Sequence, residues 1–172
     1  VRDETLVVDN ILLNGDMEDG ATNVFTSWTQ TAGTWTDSST RLWHGTRATT
    51  VSASGAAAQL TQNRFTAVNI HEMQGKTLNF KGRVFATAAS VARLRVSFDG
   101  GSTFTNGSYH TGDEEWEGPG TMYVSVTIPS GATTITFYCE VADGGTAFFD
   151  SLYAYIGPIY QYAVPTSILT PS

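Results

Sequence analysis

The stretch Met122-Tyr123-Val124-Ser125-Val126-Thr127-Ile128-Pro129-Ser130-Gly131-Ala132-Thr133-Thr134-Ile135-Thr136-Phe137-Tyr138-Cys139-Glu140-Val141 places apolar side chains at alternate positions on both sides of a turn. An extended chain sends successive side chains to opposite faces. Met122, Val124, Val126 and Ile128 therefore share one face, and Ile135, Phe137, Cys139 and Val141 share another. With Pro129-Ser130-Gly131 between them, the two runs read as a hairpin or meander pair.

The same period recurs on the N-terminal side. From Lys76 to Ala86, Leu78, Phe80 and Val84 share one face and Asn79, Lys81 and Arg83 the other. Gly82 interrupts the apolar row, as a glycine does at a bulge or a close backbone approach. From Ala92 to Phe98, Leu94, Val96 and Phe98 alternate with Arg93, Arg95 and Ser97. Asp99-Gly100-Gly101 and Asp143-Gly144-Gly145 mark tight turns, because glycine takes positive φ without steric cost. The first half is less regular, with strands expected at Leu6 to Leu13, Val24 to Gln30, Ala48 to Ser54 and Ala57 to Gln62, and a turn or one helical turn within Asn69 to Gln74. Short strands separated by such turns predict an all-β fold, a jelly-roll β-sandwich of two antiparallel sheets.

A chain of 172 residues is one domain of ordinary size, and 41% hydrophobic content is enough to build a core without disulfides. It reads as a jelly-roll domain over 1–156 and an extended C-terminal arm or linker over 157–172, where Gly157-Pro158 breaks the last strand. Apolar residues from Ile159 to Leu169 either pack over their own sandwich or meet neighbouring subunits; the sequence leaves both open. Nine Lys and Arg against 16 Asp and Glu give a net charge of -7, which sets no trap for a phosphate backbone, so nucleic acid is not an expected partner. No apolar run approaches the roughly 20 residues of a spanning helix, and membrane insertion is not expected. The single cysteine, Cys139, forms no internal disulfide, and its inward phase marks it as inert filling.

The segment Asn10-Ile11-Leu12-Leu13-Asn14-Gly15-Asp16-Met17-Glu18-Asp19-Gly20, followed by Trp28, resembles the opening of jelly-roll carbohydrate-binding modules of the kind attached to xylanases and glucanases. The resemblance continues through Gly45-Thr46-Arg47-Ala48, Trp116 and the closing Phe148-Phe149-Asp150-Ser151-Leu152, and covers Asn10 to Tyr155. Met17 stands where those modules carry an aromatic, and Ser151 where they carry a second aspartate. Tyr109-His110, Trp116, Gly131-Ala132-Thr133 and Gly157-Pro158-Ile159-Tyr160 also resemble modules of bacteriophage structural proteins. The resemblance implies a non-catalytic module displayed on a virion or extracellular assembly for adhesion to polysaccharide or cell-surface glycan. The alternative is a virion decoration or appendage subunit that binds protein only, through residues 159–169. It further implies a structural calcium held by Glu18 and Asp150 between the first and last strands; alternatively these carboxylates accept hydrogen bonds from neighbouring backbone or from Arg47.

Sugar binding needs flat aromatic faces for the C–H surface of a pyranose and a few polar groups for its hydroxyls. Trp35, Trp43, Phe104, Tyr109 and Tyr138 are the candidates, with Arg93 and Arg95 as polar readers, while Trp28 and Trp116 are expected in the core. Catalytic signals are weak. His44, His71 and His110 have no metal-ligand spacing, and the consecutive acids Asp113-Glu114-Glu115 read as a solvated loop. Glu18 with Glu140 is the remaining glycosidase pairing, and the sequence reads as a non-enzyme.

Overall fold

A computed structural model describes residues 10–65 and 69–157. In chain order the strands are β1 (Thr29–Ala32), β2 (Thr36–Ser38), β3 (Ala48–Ser52), β4 (Ala58–Arg64), β5 (Thr77–Ala86), β6 (Ala92–Ser97), β7 (Thr105–Asn106), β8 (Trp116–Glu117), β9 (Tyr123–Thr127), β10 (Ile135–Val141) and β11 (Thr146–Ile156). A single 3₁₀ turn, Ile70–Glu72, lies in the segment expected to hold one. One sheet has the order β1-β4-β10-β6-β7. The other runs β2-β3-β11-β5, with β8 and β9 both pairing along β5. All pairings are antiparallel, and most chain connections cross from one sheet to the other, giving the jelly-roll sandwich.

The alternation from Met122 to Val141 names the inward residues correctly: Met122, Ile128, Ile135, Phe137, Cys139 and Val141 are fully buried. The hairpin expectation is overturned. β9 pairs with β5 in the six-stranded sheet, whereas β10 lies between β4 and β6 in the five-stranded one. The turn at Pro129–Ala132 thus leads the chain across the sandwich, and both apolar rows still face the same core. Phe80 and Phe137 meet there edge to face, 5.0 Å between ring centroids. Cys139 sits in this core on central β10, where burial pushes its thiol well above the usual range.

In the first half, β3 and β4 fall where expected, and β1 begins later than Val24. Residues 1–9 and 158–172 lie outside the described residues, including part of the expected Leu6 to Leu13 strand and nearly all of the C-terminal arm. From Asn10 to Gly15 the chain forms a strap bonded to both sheets. The Gln62 side chain, pointing inward from β4, accepts from Leu13 N–H and donates to Leu13 C=O, each at 2.8 Å, and Arg64 Nε donates to Ile11 C=O at 3.0 Å. From the other sheet, Ala154 N–H donates to Asn10 Oδ1 at 2.9 Å, Ile11 N–H to Ala154 C=O at 2.8 Å, and Leu152 N–H to Gly15 C=O at 2.7 Å.

β11 accommodates this strap by slipping register between Asp150 and Tyr153. The one inserted residue leaves Leu152 free to bond the strap, and Ser151 takes φ 50°. Opposite lies Gly82, where an added Cβ would come 2.2 Å from Leu152 Cδ2; the interrupted apolar row marks a close approach, and the bulge belongs to its partner strand.

At Gly15 a Cβ would meet Leu152 C=O at 2.0 Å, whereas at Gly131 it would meet nothing within 4 Å. Gly15→Ala is expected to lower unfolding free energy by about 2 kcal/mol or more through forced backbone displacement and weakened strap bonds. Gly131→Ala should change it by less than about 0.5 kcal/mol. Urea denaturation of both variants checks the contrast.

Candidate functional site

Because Phe137 and Cys139 point inward, Thr136, Tyr138 and Glu140 of β10 point to the outside of the five-stranded sheet. Register places Arg93 and Arg95 of β6 beside Glu140 and Tyr138, with Gln59 and Thr61 of β4 on the other side. Glu140 bridges both arginines. Its Oε1 accepts from Arg93 Nε and Nη2, both at 2.8 Å, and its Oε2 pairs with Arg95 Nη1 and accepts from Gln59 Nε2 at 3.4 Å. Arg95 Nε is buried without a hydrogen-bond partner.

Aromatic rings frame this bridge. The Arg95 guanidinium lies 3.4 Å from the Phe104 ring centroid, Phe104 meets Tyr138 edge to face at 5.2 Å, and Arg93 lies 4.5 Å from the Tyr109 ring. Tyr109 is exposed, Phe104 is half-buried, and Tyr138 is buried. Burial raises the Tyr138 phenol, so its hydroxyl remains an O–H donor at neutral pH. The face therefore offers ring surfaces, a hydroxyl and a carboxylate whose charge two guanidiniums offset.

A separate cavity of about 460 Å³ opens at one end of the sandwich, lined by Phe98, Asp99, Thr103, Val126, Pro129 and Ala132 among others. It lacks the ion-pair bridge and the aromatic frame. Asp99 organises its rim, accepting from the Thr103 hydroxyl at 2.6 Å, Thr103 N–H at 2.9 Å, the Ser97 hydroxyl at 2.8 Å and Ser102 N–H at 3.0 Å. These donors, the Thr103 hydroxyl foremost, hold its carboxyl down at about 2.

The structure separates the five aromatic candidates. Phe104, Tyr109 and Tyr138 converge with Arg93 and Arg95. Trp35 is fully buried against Phe149, 5.8 Å between centroids, and offers no face to a ligand. It is a core residue, and the three-residue β2 that follows it gives the sequence too few alternations to show that. Trp43 is exposed but lies on the six-stranded side. Trp116, expected in the core, sits half-buried on the outside of that sheet, because β8 pairs it with outward-facing Phe85. Trp28 is in the core as expected. Glu140, which the sequence offers as half of a glycosidase pair, belongs to this face; its sharing of Tyr138's outward phase is the signal that assigns it here.

Glu18 and Asp150 both hold one loop. Glu18 accepts from Thr46 N–H at 2.8 Å, Arg47 N–H at 2.9 Å and the Thr46 hydroxyl at 2.6 Å. Burial raises the Glu18 carboxyl, but these donors outweigh it and hold it below its ordinary value. Asp150, fully buried, accepts from Trp43 N–H at 2.9 Å, His44 N–H at 3.1 Å and the Ser151 hydroxyl at 3.2 Å; burial dominates and its pKa is raised. From the end of this loop Arg47 reaches a neighbouring segment, donating to Gly20 and Ala21 C=O, each at 2.9 Å, and to Val24 C=O at 3.2 Å, and pairs with Asp37. A calcium shell requires converging oxygens. Here the carboxylate oxygens accept from N–H and O–H donors, which compete with an ion for the same lone pairs. Of the alternatives in the sequence, hydrogen bonding to backbone describes the geometry.

His110, Asp113 and Glu117 bring their side-chain ligand atoms within 4.8 Å of one another. The His110 ring is fully engaged, Nδ1 accepting from Gly112 N–H at 2.8 Å and Nε2 donating to Glu115 C=O at 3.0 Å, which leaves no lone pair for a metal.

No protein-family profile matches the chain, and no curated protein matches it in sequence. Among solved structures it is similar to a family 61 carbohydrate-binding module in complex with β-1,4-galactotriose (TM-score 0.57, 20% identity, 86% of this chain and 98% of that one). It is also similar to a family 22 xylan-binding domain from Paenibacillus barcinonensis Xyn10C (TM-score 0.61, 11% identity, 86% and 94%). A third likeness is to the enzymatically active domain of bacteriophage CBA120 tailspike protein 4 (TM-score 0.61, 17% identity); the chain covers 21% of that protein. The fold is that of jelly-roll carbohydrate-binding modules, which also occurs within a phage tailspike.

Asp150→Asn keeps one oxygen for the Trp43 and His44 N–H groups and should shift Tm by only a few degrees. Asp150→Ala should cost about 2 kcal/mol or more by leaving buried donors unpaired. If the loop is held as described, millimolar calcium and EDTA give the same Tm in thermal scans; stabilisation by calcium would contradict it. A second outcome concerns Asp99. Its depressed carboxyl keeps its hydrogen bonds intact above the unfolded value of 3.8 and loses them as pH falls through about 2, so the Ser102 and Thr103 amide resonances should titrate with that lower midpoint.

Proposed function

We propose that this protein is a non-catalytic module that binds polysaccharide on the outer face of its five-stranded sheet. The observation that carries the reading is the Arg93–Glu140–Arg95 bridge framed by Phe104, Tyr109 and Tyr138. Rings accept the C–H face of a pyranose, while Glu140, the guanidiniums, the Tyr138 hydroxyl and the Gln59 amide satisfy its hydroxyls. Because Glu140 engages N–H groups of both arginines, fewer of them are left for an anionic ligand and the face suits a neutral sugar.

The carboxylate arrangement supports binding rather than hydrolysis. Glu18 is bonded to the loop leading into β3, and Glu140 lies on the outside of the opposite sheet, so the pair does not flank a common space as glycosidase carboxylates do. The fold shared with xylan- and galactotriose-binding modules supports a glycan ligand, and the tailspike likeness supports display on an extracellular assembly or virion surface. On such a particle, weak single sites would be reinforced by repetition.

The test is titration calorimetry against neutral β-1,4-linked galacto- and xylo-oligosaccharides. At least one should bind, and Tyr109→Ala should weaken it about tenfold, or about 1.4 kcal/mol, with Tm nearly preserved, while Glu140→Gln should weaken it at least as much and lower Tm, because two largely buried guanidiniums lose their carboxylate. Absence of neutral-glycan binding, or binding indifferent to both substitutions, would sink the reading.

A further inference from the structure

The outside of the six-stranded sheet carries a second cluster of rings and cations with a different charge balance. Trp43 is 47% exposed, and its backbone N–H is fixed by Asp150. Its indole covers the Arg83 guanidinium at 3.8 Å and meets Trp116 edge on, 6.5 Å between centroids. Trp116 contacts Phe85 at 6.0 Å, and Arg41 lies over Phe85 at 3.8 Å and near Phe148 at 5.4 Å. Two guanidiniums are thus held on one continuous aromatic surface.

Neither arginine is neutralised. Among the described residues, ion pairs join Arg47 to Asp37 and both Arg93 and Arg95 to Glu140; Arg41 and Arg83 belong to none. Asp150 is the cross-strand partner of Arg83, yet its oxygens face Trp43 N–H, His44 N–H and the Ser151 hydroxyl. A guanidinium stacked on an aromatic ring keeps its N–H edge for a carboxylate, with which it forms paired hydrogen bonds.

The geometry points to a second glycan-binding face here, selective for sugars that bear a carboxylate, with Trp43 as the stacking platform and Arg83 and Arg41 as its anion-reading residues. The inference extends the polysaccharide-binding reading and rests on it for the class of ligand, although the two faces lie on opposite sheets. The chain's net charge of -7 does not oppose it, because fields from distant carboxylates decay over about 8 Å at physiological salt.

The experiment titrates ¹⁵N-labelled protein with oligogalacturonate and, separately, with its methyl ester, which keeps the pyranose skeleton and removes the charge. Oligogalacturonate should shift the Trp43 and Trp116 indole N–H signals, the ester should bind at least tenfold more weakly, and added salt should weaken the acid but not the ester. Arg83→Gln should lower affinity for the acid about tenfold, while Tyr109→Ala leaves it unchanged. The inference is overturned if the acid leaves both indoles unmoved, if acid and ester bind alike, or if Arg83→Gln has no effect in a folded protein. Sedimentation showing a dimer that Trp43→Ala dissolves would assign the face to a second copy of the chain instead. Neutral-sugar binding lost without loss of acid binding at Trp43 would refute only the five-stranded face; the reverse result would refute only this one.

Discussion

Two open-faced sheets become one closed structure through the hydrogen bonds of Leu152 to the N-terminal strap. Its N–H donates to Gly15 C=O, and its C=O accepts from the Asn10 side chain at 3.3 Å. Groups committed to the strap cannot also continue the ladder with β5, so β11 carries one extra residue there and the partner strand carries Gly82. The strap in turn leads to Glu18, and the register slip begins just after Asp150. These two carboxylates hold the loop from Trp43 to Arg47. A pair of hydrogen bonds to the Leu152 backbone thus bears on the position of an exposed tryptophan far from it in sequence.

The two outer faces use the same materials in opposite balance. On the five-stranded sheet, one carboxylate sits between two guanidiniums, so the rings surround cations whose N–H groups are engaged by a shared partner. On the six-stranded sheet the carboxylate that is Arg83's cross-strand partner, Asp150, is turned to backbone donors and the Ser151 hydroxyl, and the guanidiniums of Arg83 and Arg41 lie against rings. Arginine stacked on an aromatic surface keeps its edge free, whereas arginine paired with a carboxylate does not. The difference between the faces therefore follows from where one aspartate and one glutamate direct their oxygens.

The sequence revealed which residues face inward more readily than which strands meet. Val96, Phe137 and Leu78 were legible because alternation encodes a face directly. The separation of β9 from β10 was not, since a turn that closes a hairpin and one that crosses a sandwich follow the same kind of apolar row. Tyr138 and Arg95 could be placed outside the core from their phase, but the partner that joins them, Glu140, stood out only once β6 and β10 were adjacent. Trp35 and Trp43 look equivalent in a Thr/Ser-rich segment; tertiary packing alone puts one under Phe149 and leaves the other over Arg83. The carboxylates of the opening and closing motifs were likewise recognisable, whereas the identity of their partners depended on how Arg47 and the intervening loop folded between them.

Cys139 gives the molecule an internal clock. Its thiol is covered by the core and by its place on β10, which is paired on both sides. Fraying at the sheet edges leaves it shielded, and alkylation requires β10 to part from β4 and β6 and the core to open. Under conditions where reagent outpaces reclosure, its labelling rate reads the rate of global opening without any engineered probe.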